Sequence, residues 1–435
     1  MKKLYILMAA LAVLAAASCQ KPSATSEEEE NIPGYNENQD PNRPSGKDDV
    51  TVSPEQYIEE TAKALMSALD VDNWRNEAEF IHKFVVAMQN KKFNDDKLEK
   101  WAEALMETWS RAPRTEGNAT IIDTYVRLSD AKGHFEEQAD GTFTQTDAND
   151  FQITVLVDGE KVTGTFSCTD STVPVRVSTL NKYEYDYNTD TETVESNYVY
   201  VYVPASANLK ILRGTSEFAS VDLKMSADVK DPTQVNPYTD SATLDATLKI
   251  GVYTLSLQKV AYSPTGASAY IKLLNGDASL ITMDAKAGYE LDPASNYPIP
   301  IKSGNINASL DVMGRIQVKG DIPDVKKFLD AGLASNEKQQ DANAFKALVA
   351  QLDESFTAAM YFNGDSNPRA TLGVEPAIAE GSSYWYINPV LRFSDGTSYG
   401  VEEYFSEERF SGLMSYTQDW LQGIERYITN LFSDI

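Results

Sequence analysis

The chain has 435 residues, with 65 acidic side chains against 38 basic ones and two histidines, for a formal net charge of −27. A surface of that sign repels nucleic acid, and it repels the anionic headgroups of a bilayer. Two histidines and two cysteines leave little for a disulfide framework or a metal site, and no cofactor is expected.

Residues 1–18, MKKLYILMAALAVLAAAS, set Lys2 and Lys3 before an unbroken run of apolar and small residues. A charged start, a short apolar core and small residues before Cys19 have the form of a secretory signal peptide, which is removed and takes no part in the fold. The run is too short and too rich in alanine to span a bilayer as a helix. Ala16–Cys19, AASC, resembles the bacterial lipobox, with Ala16 where leucine is favoured. The resemblance implies cleavage before Cys19 and acylation of its thiol and new amino group. Each buried acyl methylene contributes about 0.8 kcal/mol, so several chains on one cysteine make a durable anchor. Gln20 stands where an aspartate would signal inner-membrane retention, which points to the outer membrane.

Residues 19–50 are rich in Pro, Ser, Asn and acid, and cannot bury enough surface to offset their ordering entropy. They read as a flexible tether. Glu27–Glu30 are similar to the acidic export signal of Bacteroidota lipoproteins, though further from the cysteine. That resemblance implies outward-facing display; together with the lipobox it leads us to expect an outer-membrane lipoprotein, on the periplasmic face or at the cell surface, attached to the membrane through its acyl anchor.

Residues 51–113 read as helices. Ser53, Pro54 and Gln56 form a helix start, and Ile58, Ala62, Leu65, Met66 and Leu69 recur on one face. A second helix fits Asp72–Gln89, and a third fits Asp95–Trp109. From residue 114 to 322 the period changes to two, as expected of long strands in a meandering antiparallel sheet, apolar on one face. Asp158-Gly159 marks a tight hairpin. Residues 323–435 return to helices: a short one after Pro323, a longer one through Phe345, Leu348, Val349, Leu352, Phe356 and Met360, and a last one capped by Ser406. A hairpin turning on Asp395-Gly396 interrupts them, and Pro389 suggests an edge strand there. The expected class is α+β, with N-terminal helices, a large antiparallel sheet, and helices with a hairpin at the C-terminus packed on that sheet.

The most distinctive stretch is Tyr183–Val203, YEYDYNTDTETVESNYVYVYV. If Tyr187 pairs with Tyr198, then Tyr185 faces Tyr200 and Tyr183 faces Tyr202, and all six share one side of a hairpin. Strand propensity alone accounts for such a layer. The functional alternative is an aromatic platform that stacks on sugar rings, with Trp385 as a further contact. Asn188, Asp190, Glu192 and Glu195 resemble a calcium loop in spacing but lack its turn glycine, so a solvated acidic tip is expected and no metal. His82 reads as a solvent-facing flank residue, and His134 as a turn residue without a partner. Cys168, in alternation with Val162, Gly164 and Phe166, reads as a small buried hydrophobe and not as a nucleophile.

No HExxH, GxSxG or phosphate-binding glycine-lysine motif is present. The sequence therefore points to a protein that binds an extracellular or envelope component, a glycan or an envelope protein, without catalysis. The alternatives are a lipid or lipoprotein carrier, with a curved one-sided sheet lidded by helices, and a structural assembly subunit.

Overall fold

The computed structural model describes residues 53–90, 114–116, 119–130, 132–187, 189, 191–294, 300–378, 381–406 and 409–431. The lipobox, the tether and the helix expected over Asp95–Trp109 lie outside the described residues. Contacts divide the described chain into two compact units, residues 77–251 and residues 53–76 with 252–431.

In the first unit a mixed sheet is built around one long hairpin. Its strands are β1 (Arg114–Glu116), β2 (Ala119–Val126), β3 (Gly133–Glu137), β4 (Phe143–Thr146), β5 (Phe151–Val157), β6 (Glu160–Asp186), β7 (Thr191–Arg213), β8 (Ser216–Asp228) and β9 (Ser241–Ile250). β6 and β7 pair along almost their whole length, with register shifts between Thr169 and Pro174 and between Arg176 and Ser178. The first half of β6 takes β5 as its other neighbour, and the second half of β7 takes β8. The first half of β7 runs parallel to β2, and β3 runs parallel to β5. These two parallel pairings correct the expectation of a purely antiparallel sheet: each joins strands separated by intervening hairpins, which a meander does not allow.

Period-two burial makes the core of this unit. Phe151, Ile153 and Val155 stand opposite Phe166, Gly164 and Val162, and Phe135 joins them from β3. Asp158 and Gly159 have φ of 51° and 80°, the two-residue turn that matches strand twist. Helix α2 is Val71–Asn90, placed after α1 (Pro54–Ala68). Within the first unit, α2 sets Phe80 against Phe218 at 4.4 Å and pairs Lys83 with Asp158 at 2.7 Å. Buried Asp240 organises the loop between β8 and β9 by accepting from the backbone N–H groups of Asn236 (2.7 Å) and Lys230 (3.1 Å).

The second unit is a true meander: β10 (Tyr253–Ser263), β11 (Gly266–Asn275), β12 (Ala278–Leu291), β13 (Ile301–Val312), β14 (Ile316–Ile322), β15 (Thr357–Phe362), β16 (Ala370–Ile378), β17 (Trp385–Phe393) and β18 (Ser398–Gly400), each antiparallel to the next. Its helices are α1, α3 (Val325–Glu337), α4 (Ala342–Asp353), the short α5 (Val401–Tyr404) and α6 (Ser411–Leu431). The Ser53 hydroxyl caps α1 by accepting from Gln56 N–H at 3.2 Å, as its sequence requires.

Helices cover both faces of the β15–β17 region. α4 buries Phe345, Val349 and Leu352 on the side of Val390, while Ile58 of α1, Tyr404 of α5 and Phe410 meet Phe362 and Leu391 on the other. Three expectations change here. The helix through Phe345 stops at Asp353, so Phe356 and Met360 leave it. Met360 lies in β15, where Ala358, Met360 and Phe362 alternate and a sheet partner on each side outweighs the helical spacing. The last helix begins at Ser411, after the short turn of α5. Pro389 lies just beyond the part of β17 that pairs with β18, where the strand is at the margin of the sheet. Among the described residues, no helix is long and apolar enough to cross a membrane.

Candidate functional site

The tyrosine ladder forms, but in a different register from the one its sequence suggests. Tyr183 stands opposite Val194 and Tyr185 opposite Glu192, while Tyr198, Tyr200 and Tyr202 face Thr179, Arg176 and Pro174. β6 continues to Asp186 and β7 resumes at Thr191, so there is no long acidic loop, and Glu192 and Glu195 are strand residues. Asn188 and Asp190 lie outside the described residues. Beside the tip the hydroxyls of Thr189 and Thr191 lie 2.6 Å apart. An even displacement leaves alternation intact, so Tyr183, Tyr185, Tyr198, Tyr200 and Tyr202 still share a face. They no longer sit side by side.

The result is two separate groups. At the tip Tyr183, Tyr185 and Tyr187 are 63%, 48% and 89% exposed, with Tyr185 and Tyr187 edge to face at 4.9 Å. At the base Tyr200 is 2% exposed, stacked on Tyr125 of β2 at 4.8 Å. The guanidinium of Arg127 lies 3.6 Å from the centre of the Tyr202 ring, and that of Arg176 4.9 Å from Tyr198. The base group is thus a cation-covered packing layer. Trp385 belongs to the second unit, where its ring meets Phe345 at 6.5 Å and lies under the Lys346 ammonium at 4.5 Å. Its neighbours Tyr384 and Tyr386 are exposed.

The remaining titratable candidates have local explanations. The half-buried Cys168 thiol donates to Asp170 at 3.7 Å, and burial with that carboxylate beside it pushes its pKa up to about 12. A thiol held protonated is a poor nucleophile. His134 is a strand residue, not a turn residue, and it has a partner: its Nε2 lies 2.9 Å from Asp150 Oδ1. Its sequence neighbours hid this because the pairing of β3 beside β5 supplies the aspartate. His82 is half-buried where solvent was expected. Among the described residues no group of three His, Cys, Asp or Glu side chains is placed to hold a metal.

A feature of the second unit emerges only once its register is known. On one face of β10–β15 the cross-strand rows are apolar throughout. Leu273, Ile281, Val312, Ile316 and Phe362 form one row, and Ile271, Met283, Leu310, Val318 and Met360 the next. A third row consists of Ala269, Ala285, Ala308, Gly320 and Ala358, and beyond it lie Ala267, Ala287, Ile306 and Ile322. The opposite face carries Lys272, Thr282, Asp284, Asp311, Gln317 and Lys319. The low third row crosses five strands, or about 19 Å at the usual strand spacing, beside the higher second row, and Ile306 and Ile322 rise on its other side at β13 and β14.

α1 closes one side of this face. Tyr57 stacks on Phe362 at 4.6 Å and its hydroxyl bonds Asn363, while at the other end the Ala68 carbonyl accepts from Tyr253 at 2.7 Å and Asn275 at 3.3 Å. The helix therefore runs from β15 to β10 across the ends of the strands, and α6 packs beside it. Fifteen residues at 1.5 Å give about 22 Å, close to the span of five strand spacings. Past the helix the face stays open: Leu310 and Val318 are 37% and 38% exposed. At the far margin the Tyr289 hydroxyl is enclosed and bonded to no group among the described residues, and burial raises its pKa well above the ordinary phenol value.

Comparison with protein-family models, with curated proteins and with solved structures finds no match to this chain.

Proposed function

We propose that this protein is a cell-envelope lipoprotein, anchored at the outer membrane through acylated Cys19, that binds an envelope component without catalysis. Its ligand is an apolar chain of the fatty-acyl type, held on the open face of the second unit. The observation that carries this reading is the alanine and glycine row from Ala269 to Ala358. It lies between the ridge Met283–Leu310–Val318–Met360 and the Ile306–Ile322 row, free of charge and about as long as an extended acyl tail. Burial of apolar surface at about 25 cal/mol per Å² supplies the affinity. The enclosed Tyr289 hydroxyl offers a hydrogen bond to a polar group at the ligand's end.

The test uses the chain carrying Cys19→Ser, so that its own acyl groups do not confuse the result. Organic extraction and mass spectrometry of the purified protein should release acyl lipid. A fluorescent fatty acid should bind the delipidated protein, and Ala308→Trp, which raises a bulky side chain in the alanine and glycine row, should abolish that binding. If neither extraction nor reloading detects acyl lipid, the carrier reading fails. The anchor is tested separately by following Cys19→Ala through membrane fractionation.

A glycan-binding role is the second reading. The exposed cluster Tyr183, Tyr185 and Tyr187 favours it, since flat amphipathic rings at a strand tip suit sugar faces. A glycan array read with and without Tyr185→Ala distinguishes it from acyl binding.

A further inference from the structure

On the other side of the same sheet, where α3 and α4 pack near the start of β13, lies an open cleft of about 480 Å³. That volume is within the range of small-molecule sites. Its floor is apolar, made by Ala331, Ala334 and Leu348, and its rim carries Lys302, Lys326 and Lys327. Ser303 places it on the polar face: it stands opposite Glu290, one residue out of step with Tyr289 and Gly304 of the apolar face.

The charges at the rim are not equivalent. Lys302 bonds Glu290 at 2.5 Å, and Lys326 bonds Asp330 at 2.5 Å. The Asp324 carboxylate is committed to the N-cap of α3, accepting the Lys327 N–H at 2.9 Å. Among the described residues the Lys327 ammonium has neither ion pair nor hydrogen bond, although acids outnumber bases in this chain 65 to 38. The Gln351 amide, which lines the same cleft, likewise makes no hydrogen bond among the described residues. One uncommitted cation, one uncommitted amide and an apolar floor converge on the same space.

We infer that this cleft binds a small hydroxylated anion, a sugar acid or sugar phosphate of one or two rings. The anionic group sits on Lys327, the ring's apolar face lies over Ala331 and Leu348, and Gln351 takes up a hydroxyl. The inference is independent of the acyl-chain reading, since the two surfaces lie on opposite faces of the sheet.

The test is titration calorimetry on the full chain with glucuronate, glucose 6-phosphate, glucose and inorganic phosphate. At least one of the two charged sugars should bind, and bind more tightly than either glucose or inorganic phosphate. Lys327→Gln should weaken that binding by about tenfold or more, the loss of one charge-assisted hydrogen bond. Ala334→Tyr should block it, and circular dichroism identifies any variant that has not folded. Absence of binding by both charged sugars overturns the inference, as does binding that Lys327→Gln and folded Ala334→Tyr leave unchanged. Equal affinity for inorganic phosphate also overturns it, because the floor then contributes nothing.

Discussion

Gly373 lies on β16 under the end of α4, and a methyl group there has no room. Its Cβ would fall 2.1 Å from Arg392 Nη1, 2.5 Å from Arg392 Cζ and 2.6 Å from Asp353 Oδ1. Arg392 cannot yield freely, because its Nη1 donates to both Asp353 oxygens, at 3.1 and 3.0 Å. Asp353 in turn accepts from Val374 N–H at 2.7 Å, tying the end of α4 to the sheet. In Gly373→Ala the guanidinium must swing out and the pair is lost. Hydrogen bonds between charged groups contribute about 1.5–3 kcal/mol, and partial exposure of Arg392 lowers this to about 1–3 kcal/mol.

Gly332 supplies the internal control. It lies within α3, where an added methyl would meet nothing inside 4 Å, so Gly332→Ala should stabilise by about 0.5–1 kcal/mol. Urea denaturation, followed by circular dichroism and tryptophan emission, should therefore separate the two variants by roughly 1.5–4 kcal/mol at equal m-value. In an Arg392→Met background the part of the Gly373→Ala cost that comes from displacing the guanidinium should disappear, leaving only the close contact with Asp353 Oδ1. A Gly373→Ala protein as stable as the parent would refute the reasoning.

The tyrosines should separate by position: Tyr200→Ala should cost about 3 kcal/mol or more, while Tyr187→Ala stays within about 0.5 kcal/mol in the same denaturation assay. Iodoacetamide at pH 8 should leave Cys168 unmodified in the native protein and label it after unfolding, since its pKa stands at about 12; rapid native labelling contradicts the burial argument. The Thr397 hydroxyl and then its backbone N–H hold the Asp395 pKa below the usual carboxylate value. This depressed folded pKa makes the turn's contribution present above the unfolded value and lost as pH falls through the folded one. NMR titration should show the midpoint rising in Thr397→Val.

Local chemistry was the legible part of this fold. Ser53 at a helix start, Asp158-Gly159 and Asp395-Gly396 at hairpins, and the alternation of the long strands each depend on neighbouring residues. Register was not legible, for a physical reason. Moving the Tyr183–Tyr202 hairpin by an even number of residues leaves every side chain on its face, so the apolar pattern says nothing against it. The stretch from Phe345 to Phe362 fits both periods, Phe356 and Met360 being four apart and Met360 and Phe362 two, and only the strands on either side of β15 decide. The alanine and glycine row needs the register of five strands at once. No single segment contains it. The cleft at Lys327 depends equally on partners remote in sequence, with Lys302 on β13 and Gln351 on α4.

The position of α1 carries a consequence for how the second unit is assembled in time. Tyr57 meets Phe362 and Asn363, and Ala68 meets Tyr253 and Asn275, so the first helix among the described residues is completed only by strands made some two to three hundred residues later. Contacts so distant in sequence slow folding, because a long loop must close before they contribute. Until β15 exists, the stripe containing Ile58 and Met66 has no permanent partner, and an apolar helix face left uncovered is a site for premature association. From β10 to β14 the meander can add one hairpin at a time, each on the last. α1 is therefore synthesised before every strand it docks on, and it docks only after them.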